Sequence, residues 1–477
     1  MFAQASRLGH DIDFHTSLTA TAGSGDNAPF WFTGNRYGLG TIQPNSGLLR
    51  LGMERSTQAD QQRRWRIGYG LDVVGAVHHD SRFILQQAYA DFQYKEVAIS
   101  VGQKERPTEL RDNTLSSGGM AMGINARPLP QVRFEMPRFW AIPKTNYWFA
   151  FKGHVAYGWY TDNQWQRRFN AGTDHIYSIN SKYHSKAGYI RIGNTDYFPL
   201  VLSGGYEMVC QFGGTLYNRA YSNQPDGSYQ NPCGLKQYLQ VFIPTGTDII
   251  DGNNKNATGN QVGSYSARLD YMGQGWSVAV YGEHFFEDHS QLGFNFAWKD
   301  MTLGLEAHLP QNPILSTLVY EYLRTTDQSG PIFRANTTDA MHSLGGIDDY
   351  YNHGMYGSYQ HAGFVLGNPL LRSPIYNKDG NIYVTDNRIT AHHLGLSGHP
   401  DSQFSWRLLY THVRSLGTYD KPAVSPRHAN YLLLEASYAP RQAEGLTLTA
   451  SYGQNGGQII GQGKGAMLSV AYTFRKK

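Results

Sequence analysis

Between residues 342 and 361 the chain gathers His342, Asp348, Asp349, His353 and His361, interleaved with Tyr350, Tyr351, Asn352, Tyr356 and Tyr359. Imidazoles and carboxylates can hold a metal, but their spacing here matches no zinc motif. Asp348 and Asp349 are the oxygen donors a loop-borne calcium ion would use. The set is read as a polar loop, with no metal and no cofactor. The aromatic and polar members suit a different chemistry. Tyrosine rings stack on sugar faces, while Asn, Asp and His bond sugar hydroxyls. Tyr350, Tyr351, Asn352, His353, Tyr356 and Tyr359 are therefore the candidates for contact with a sugar ligand as a group, while each tyrosine taken alone also fits a purely structural place. Arg324, Arg334 and Arg372, in neighbouring connections, would pair with acidic sugars.

Turnover of such a glycan would need two carboxyl groups facing each other across a cleft, for which Glu321, Asp348 and Asp349 are the candidates. Lumenal or loop carboxylates are expected on other grounds, and no GxSxG segment occurs. The pairs Gly118-Gly119 and Gly204-Gly205 lack the lysine and strand–helix setting of a phosphate loop. Cys210 and Cys233 form no CxxC pair, leaving one disulfide or two thiols as equal options. No catalytic residue is assigned, and the protein is read as a non-enzyme.

The elements that must carry these residues are strands. Only 16% of the 477 residues are charged, against about 25% in ordinary soluble domains. There are 53 Gly and 33 Tyr, and the formal charge is only +4, which excludes the concentrated positive footprint of a nucleic-acid binder. No run of 18 apolar residues exists, so helical membrane spans are excluded. A mean hydropathy of -0.48 is what a barrel with alternating faces also gives.

That alternation recurs. Trp65, Ile67, Tyr69, Leu71 and Val73 oppose Arg66, Gly68, Gly70 and Asp72; Leu303, Leu305 and Ala307 oppose Gly304, Glu306 and His308. Leu446, Leu448, Ala450 and Tyr452 oppose Thr447, Thr449 and Ser451. The same pattern predicts strands near 149–159, 264–271 and 404–410. Leu468, Val470, Tyr472 and Phe474 give a terminal strand of the outer-membrane kind, though Arg475-Lys476-Lys477 follow the phenylalanine. Aromatic strand ends suit the headgroup level, and an open sheet edge is not tolerated in hydrocarbon. The class is therefore all-β, a transmembrane antiparallel outer-membrane β-barrel.

At roughly 22–28 residues for a strand and its connections, the chain makes about 16–18 strands. Long polar connections are predicted at 219–234, 244–263, 324–350 and 366–388. Residues 1–477 are read as one barrel domain, with 1–50 as first strands or part of a plug. Ala3-Gln4-Ala5 has the form of a leader-peptidase site, so the chain is read as starting from an added methionine or within a shortened leader. Asn125-Ala126-Arg127-Pro128-Leu129-Pro130-Gln131 cannot run as a regular central strand. It is read either as an inward plug, braced by Arg133, Glu135 and Arg138, or as a periplasmic turn.

Three ordered blocks carry a resemblance: Ala28-Pro29-Phe30-Trp31-Phe32 with Asn35-Arg36-Tyr37-Gly38; Thr114 to Met120 followed by Asn125 to Val132; and Tyr350 to Tyr356 running into Gly363 to Leu370. Together with the terminal strand they make the chain resemble, over nearly its whole length, the Wzi family of outer-membrane capsule-assembly proteins, in its Bacteroidetes-like branch. The resemblance implies a monomeric 18-stranded barrel with a lumen obstructed by loops. It also implies a lectin-like role holding capsular polysaccharide at the cell surface. Enterobacterial members add a periplasmic helical bundle, for which residues 1–60 offer no amphipathic run. The partners expected are capsular or other surface polysaccharide, outer-membrane lipid and the barrel-assembly machinery. The alternative is a substrate-specific porin for small solutes or oligosaccharides, lined by residues such as Arg66, Arg268 and Arg407.

Overall fold

The computed structural model describes residues 8–219, 222–245, 257–287, 299–330, 334–335 and 344–476. The leader-like residues 1–7 and His342 lie outside them.

Eighteen strands form one antiparallel sheet. In chain order they are β1 (Ile12–Gly25), β2 (Ser46–Arg55), β3 (Trp65–Val77), β4 (Phe83–Tyr94), β5 (Val97–Gln103) and β6 (Gln131–Ala141). Then come β7 (Phe149–Trp159), β8 (Lys182–Ile192), β9 (Leu200–Phe212), β10 (Asn260–Met272), β11 (Ser277–Glu287) and β12 (Met301–His308). The last six are β13 (Thr317–Arg324), β14 (Ile389–Gly398), β15 (Phe404–Gly417), β16 (Pro422–Tyr438), β17 (Leu446–Gly457) and β18 (Gly463–Lys476). Each strand pairs with the next, and β18 returns to β1 from Ile12↔Lys476 to Gly25↔Gly463, so no edge is left unpaired. The connection 244–263 ends earlier than the sequence suggests, because β10 already begins at Asn260.

Period-two alternation sets the two faces of the wall. Leu468, Val470, Tyr472 and Phe474 all lie exposed on the outside, as do Leu303, Leu305 and Leu71. Asp72, Gln86, Asp91, Glu283, Glu306 and Glu321 are buried on the inside. Both described chain ends lie at one rim, where the connections are short, such as 95–96, 273–276 and 399–403. The long ones (26–45, 104–130, 160–181, 213–259 and 325–388) all leave the opposite rim. Short turns belong to the periplasmic side of such barrels and long loops to the outside. Among the described residues, no helix is long and apolar enough to cross a membrane; the protein crosses it with strands.

Three long connections turn back into the barrel and knit together. From 26–45, Asn35 Nδ2 donates to the Ser117 carbonyl at 2.9 Å and Gly38 N to the Asn125 carbonyl at 2.9 Å. From 104–130, Asn125 Nδ2 donates to the Val365 carbonyl at 2.8 Å and Gly123 N to the Leu366 carbonyl at 2.8 Å. From 346–388, Asn368 Nδ2 donates to the Gly118 carbonyl at 2.9 Å, and Tyr359 Oη to the Ala121 carbonyl at 2.6 Å. The Asn125–Gln131 segment thus runs inside the barrel from the outer rim and is not a periplasmic turn. Gly38 sits at φ +69°, where a Cβ would lie 2.5 Å from Arg127 N, so this crossing needs glycine.

The inner loops share an apolar cluster with one sector of the wall. Phe30, Leu115, Met120, Tyr351, Val365 and Leu366 pack with the inward-facing Val319, Leu409, Val413, Tyr431 and Leu433 of β13, β15 and β16. Phe30 stacks on Tyr431 with ring centres 4.2 Å apart. There these inward positions are apolar because they meet a protein core, although the same strands also carry the inward Glu321, Arg407 and Glu435.

Candidate binding site

The inner wall also carries charges, and they reach for the inner loops. Arg111 of the 104–130 loop lies between two buried carboxylates, with Nη2 2.5 Å from Glu283 Oε2 and Nη1 3.4 Å from Glu321 Oε1. Glu283 also accepts from Met120 N at 3.0 Å, while Glu321 accepts from Ser117 N at 2.6 Å and from Tyr281 Oη at 2.7 Å. Burying these charges is tolerable only because each is paired and bonded. Glu321 is thereby committed, and it is not free to serve as one of two facing hydrolytic carboxyls.

Arg268 meets Glu306 in a two-pronged pair at 2.8 and 2.9 Å and bonds Asp270 Oδ1 at 2.8 Å. Arg407 bonds Glu435 Oε1 at 2.8 Å and the Thr114 carbonyl at 2.9 Å. Arg66 instead bonds the Gln61 and Arg63 carbonyls of the short 56–64 turn, away from the other two.

Among the described residues, cavities lie between this wall and the inner loops, including three of about 250 Å³ or more. The first, about 250 Å³, is lined by Arg106, Arg127, Pro128, Gln131, Arg133 and Glu135 among others. Five residues singled out in sequence therefore meet there; Asn125 and Pro130 are not in its lining. Arg133 Nε donates to Glu135 Oε2 at 2.5 Å, Arg106 Nη2 donates to Ser100 Oγ at 2.8 Å, and Arg127 Nε has no hydrogen-bond partner among the described residues.

The second cavity, about 260 Å³, lies towards the outer rim beside β1 and β2 and is rich in hydroxyls: Ser17, Thr19, Thr41 and Tyr37, with Arg36 and His79. Burial, helped by the Arg127 charge, lowers the His79 imidazole to about 4, so it is neutral at pH 7. Its Nε2 is unpartnered among the described residues. The third, about 730 Å³, reaches the periplasmic rim at Asn194 and is lined by Arg111, Arg191, Arg268, Glu306 and Asp270. Hydroxyls, amides and paired arginines of this kind bond neutral and acidic sugars. His79, Arg111 and Glu283 did not stand out in sequence, and Arg36 did so only as part of a family-like block, not as a site residue. The readable signal was a charged residue at the inward position of an alternating strand, available for Glu283 but not for the loop residues.

The residues expected to stack on sugar lie elsewhere. Tyr350, Tyr351, Tyr356 and Tyr359 are all at most 1% exposed. Tyr351 Oη donates to the Met120 carbonyl, Tyr350 Oη bonds Asp300 Oδ2 at 3.1 Å, and both rings meet Phe285 edge-on. A tyrosine buries a large apolar body once its hydroxyl is satisfied, and these serve as core of the inner loops. A sugar reaches their faces only if those loops move. Asn352 Nδ2 donates to the Val384 carbonyl at 2.8 Å, and His353 Nδ1 accepts from Met355 N at 3.1 Å.

Arg324 bonds Thr326 Oγ1 at 2.9 Å, and Arg372 bonds Thr385 Oγ1 at 2.9 Å and the Tyr376 carbonyl at 2.8 Å. Arg334 opens a two-residue strand paired with Leu344–Gly345; its side chain is outside the described residues. Asp349 is bonded by Asn387 Nδ2 at 2.5 Å and Asn352 Nδ2 at 3.0 Å, and Asp348 by Ser329 Oγ at 2.6 Å.

No model of a known protein family matches the chain, and no curated protein matches it. Among solved structures it is similar to Wzi, described as an outer membrane protein involved in group 1 capsule assembly in Escherichia coli and as a carbohydrate-binding β-barrel. The TM-score is 0.57 at 13% identity, over 99% of this chain and 87% of that one. Pseudomonas aeruginosa OccD3 (OpdP) gives a TM-score of 0.47 at 10% identity, over 98% and 91% of the two chains. Acinetobacter baumannii OccAB4 gives 0.45 at 10%, over 97% and 98%. At these identities the likeness shows the fold. A closed 18-stranded barrel of this kind resides in the bacterial outer membrane, where barrels bind or pass solutes.

Proposed function

We propose that the protein binds surface polysaccharide, capsular glycan first among them, and holds it at the outer membrane without turning it over. The observation that carries this reading is the apolar cluster inside the barrel, where Phe30, Met120, Tyr351 and Leu366 pack against Tyr431, Leu409 and Leu433. A permanent aqueous channel has no use for a dry interior, whereas a barrel that offers fixed binding surfaces does. The likeness to Wzi supports the same direction and, with the sequence blocks, membership of that family's wider circle. The contacts proposed for glycan are the Ser, Thr, Arg36 and His79 groups of the outer cavity and Arg127 of the first cavity. An unpartnered guanidinium nitrogen is what an acidic sugar would satisfy.

Titration of the folded protein in nanodiscs with an acidic capsular polysaccharide tests the proposal. Saturable binding is expected, and Arg127→Gln should weaken it about 10- to 150-fold, the worth of one charged hydrogen bond. Absence of binding across acidic and neutral glycans, with the barrel folded, would contradict it.

Solute passage is the second reading. It is favoured by the charged lining of the first and third cavities, where displacement of the 104–130 loop would leave a lane bordered by Arg133 and Arg268. Conductance separates the two readings.

A further inference from the structure

The helix α1 (Leu235–Phe242), carried by the 213–259 loop, lies on the outside of the barrel. On the strands beneath it, the outward row is Tyr157, His184 and Cys210, paired across β7, β8 and β9; the next row is Trp159, Lys182 and Phe212. The same faces carry exposed Ile190 and Leu202 further down. Yet His184, Cys210 and Phe212 have no exposed surface, because α1 covers them. Val241 is fully buried against Cys210 and Phe212, Tyr157 Oη donates to the Tyr238 carbonyl at 3.0 Å, and the Lys186 ammonium caps the Phe242 carbonyl.

Helical spacing then divides α1 into three faces. Tyr238 and Val241 face the wall. Lys236, Gln237 and Gln240 form a polar side. Leu235, Leu239, Phe242 and the capping residue Ile243 form a third face, and Leu235 is 78% exposed, Leu239 60% and Ile243 61%. That apolar face stands at the outer rim, on the lipid-facing side of the wall whose strands carry exposed Ile190 and Leu202 towards the other rim, and it lies beside Lys182, Lys186 and Lys236. An amphipathic helix with an apolar face, a polar face and flanking lysines is the form that lies in a membrane interface.

We propose that α1 is an interfacial anchor that binds the phosphate-bearing glycolipid of the outer leaflet. Its leucines and Ile243 take the acyl chains, and Lys182, Lys186 and Lys236 take the phosphate. The lysines select an anionic headgroup over a zwitterionic one.

The test is amide hydrogen exchange of the full chain in nanodiscs made with lipopolysaccharide or with phosphatidylcholine alone. Amides 236–243 should exchange about tenfold more slowly in the lipopolysaccharide discs, given the attraction of each lysine near an anionic surface. Lys186→Gln with Lys236→Gln should abolish that difference, and Leu235→Ser with Leu239→Ser should return the segment to fast exchange. Both variants should keep heat-modifiable gel mobility, the sign of a folded barrel. Equal exchange of the unaltered protein in the two membranes, whether slow or fast, overturns the proposal.

Discussion

Arg111 shows how single residues govern the interior. It lies between Glu283 and Glu321 while those carboxylates also take the Met120 and Ser117 amides. Removing one partner of such a group leaves a buried charge unpaired, at about 3–5 kcal/mol. Glu283→Ala should therefore raise exchange at amides 115–121 by orders of magnitude, with Glu283→Gln intermediate; unchanged exchange would refute the anchoring role. His361 makes a second case. Its ring is 1% exposed, with Nδ1 2.9 Å from the Arg127 carbonyl, and burial lowers its imidazole to about 4. Once the loop opens, the value returns to about 6.5, so the open form binds the proton first. The closed loop keeps its full stability above about pH 6.5 and loses it as the pH falls towards 4, about 2 kcal/mol by pH 5. Exchange at 357–365, corrected for intrinsic rate, should rise accordingly, and His361→Gln should flatten the slope.

At the scale of elements, the wall was legible and the filling was not. Strict alternation such as Leu468, Val470, Tyr472 and Phe474 states which face meets lipid, since each residue is set by its own strand. Tyr431-Leu432-Leu433-Leu434 breaks that rule, and the break is informative: a strand apolar on both faces needs a core on its inner side. The burial of the tyrosines of 350–359 was not legible in the sequence, for a physical reason. Whether a loop ring faces solvent or core depends on partners far away in the chain, such as Met120 for Tyr351 and Ala121 for Tyr359. The segment 125–130 was better marked, because Pro128 and Pro130, two positions apart, exclude a regular central strand through it; residues 131–135 already belong to β6. The crossing of two inner loops at Gly38 supplies a prediction. A methyl group there has 2.5 Å to Arg127 N and a left-handed backbone to fight. Gly38→Ala should separate the loops, costing at least about 1–3 kcal/mol, and make 104–130 the first site of limited proteolysis. Resistance equal to the unaltered protein would show that the crossing is dispensable.

For the whole molecule, closure is the decisive feature. Phe14 stacks on Phe474 at 5.0 Å, and Arg475 forms a two-pronged pair with Asp13 at 2.6 and 2.7 Å across the β1–β18 seam. The basic ending that departs from the commonest outer-membrane pattern thus has a local partner at the periplasmic rim. Closure determines where the chain resides; the contents of the barrel determine what it does there. Inner loops bonded to one another, to Glu283 and Glu321, and to apolar residues of the wall are what the proposed attachment barrel rests on, against the open pore of the second reading. The direct test is single-channel recording of the refolded protein in a planar bilayer, after gel mobility has confirmed the barrel. The account predicts no stable conductance steps for the unaltered protein and their appearance in Glu283→Ala. Reproducible open steps from the unaltered protein would contradict it and put solute passage in its place.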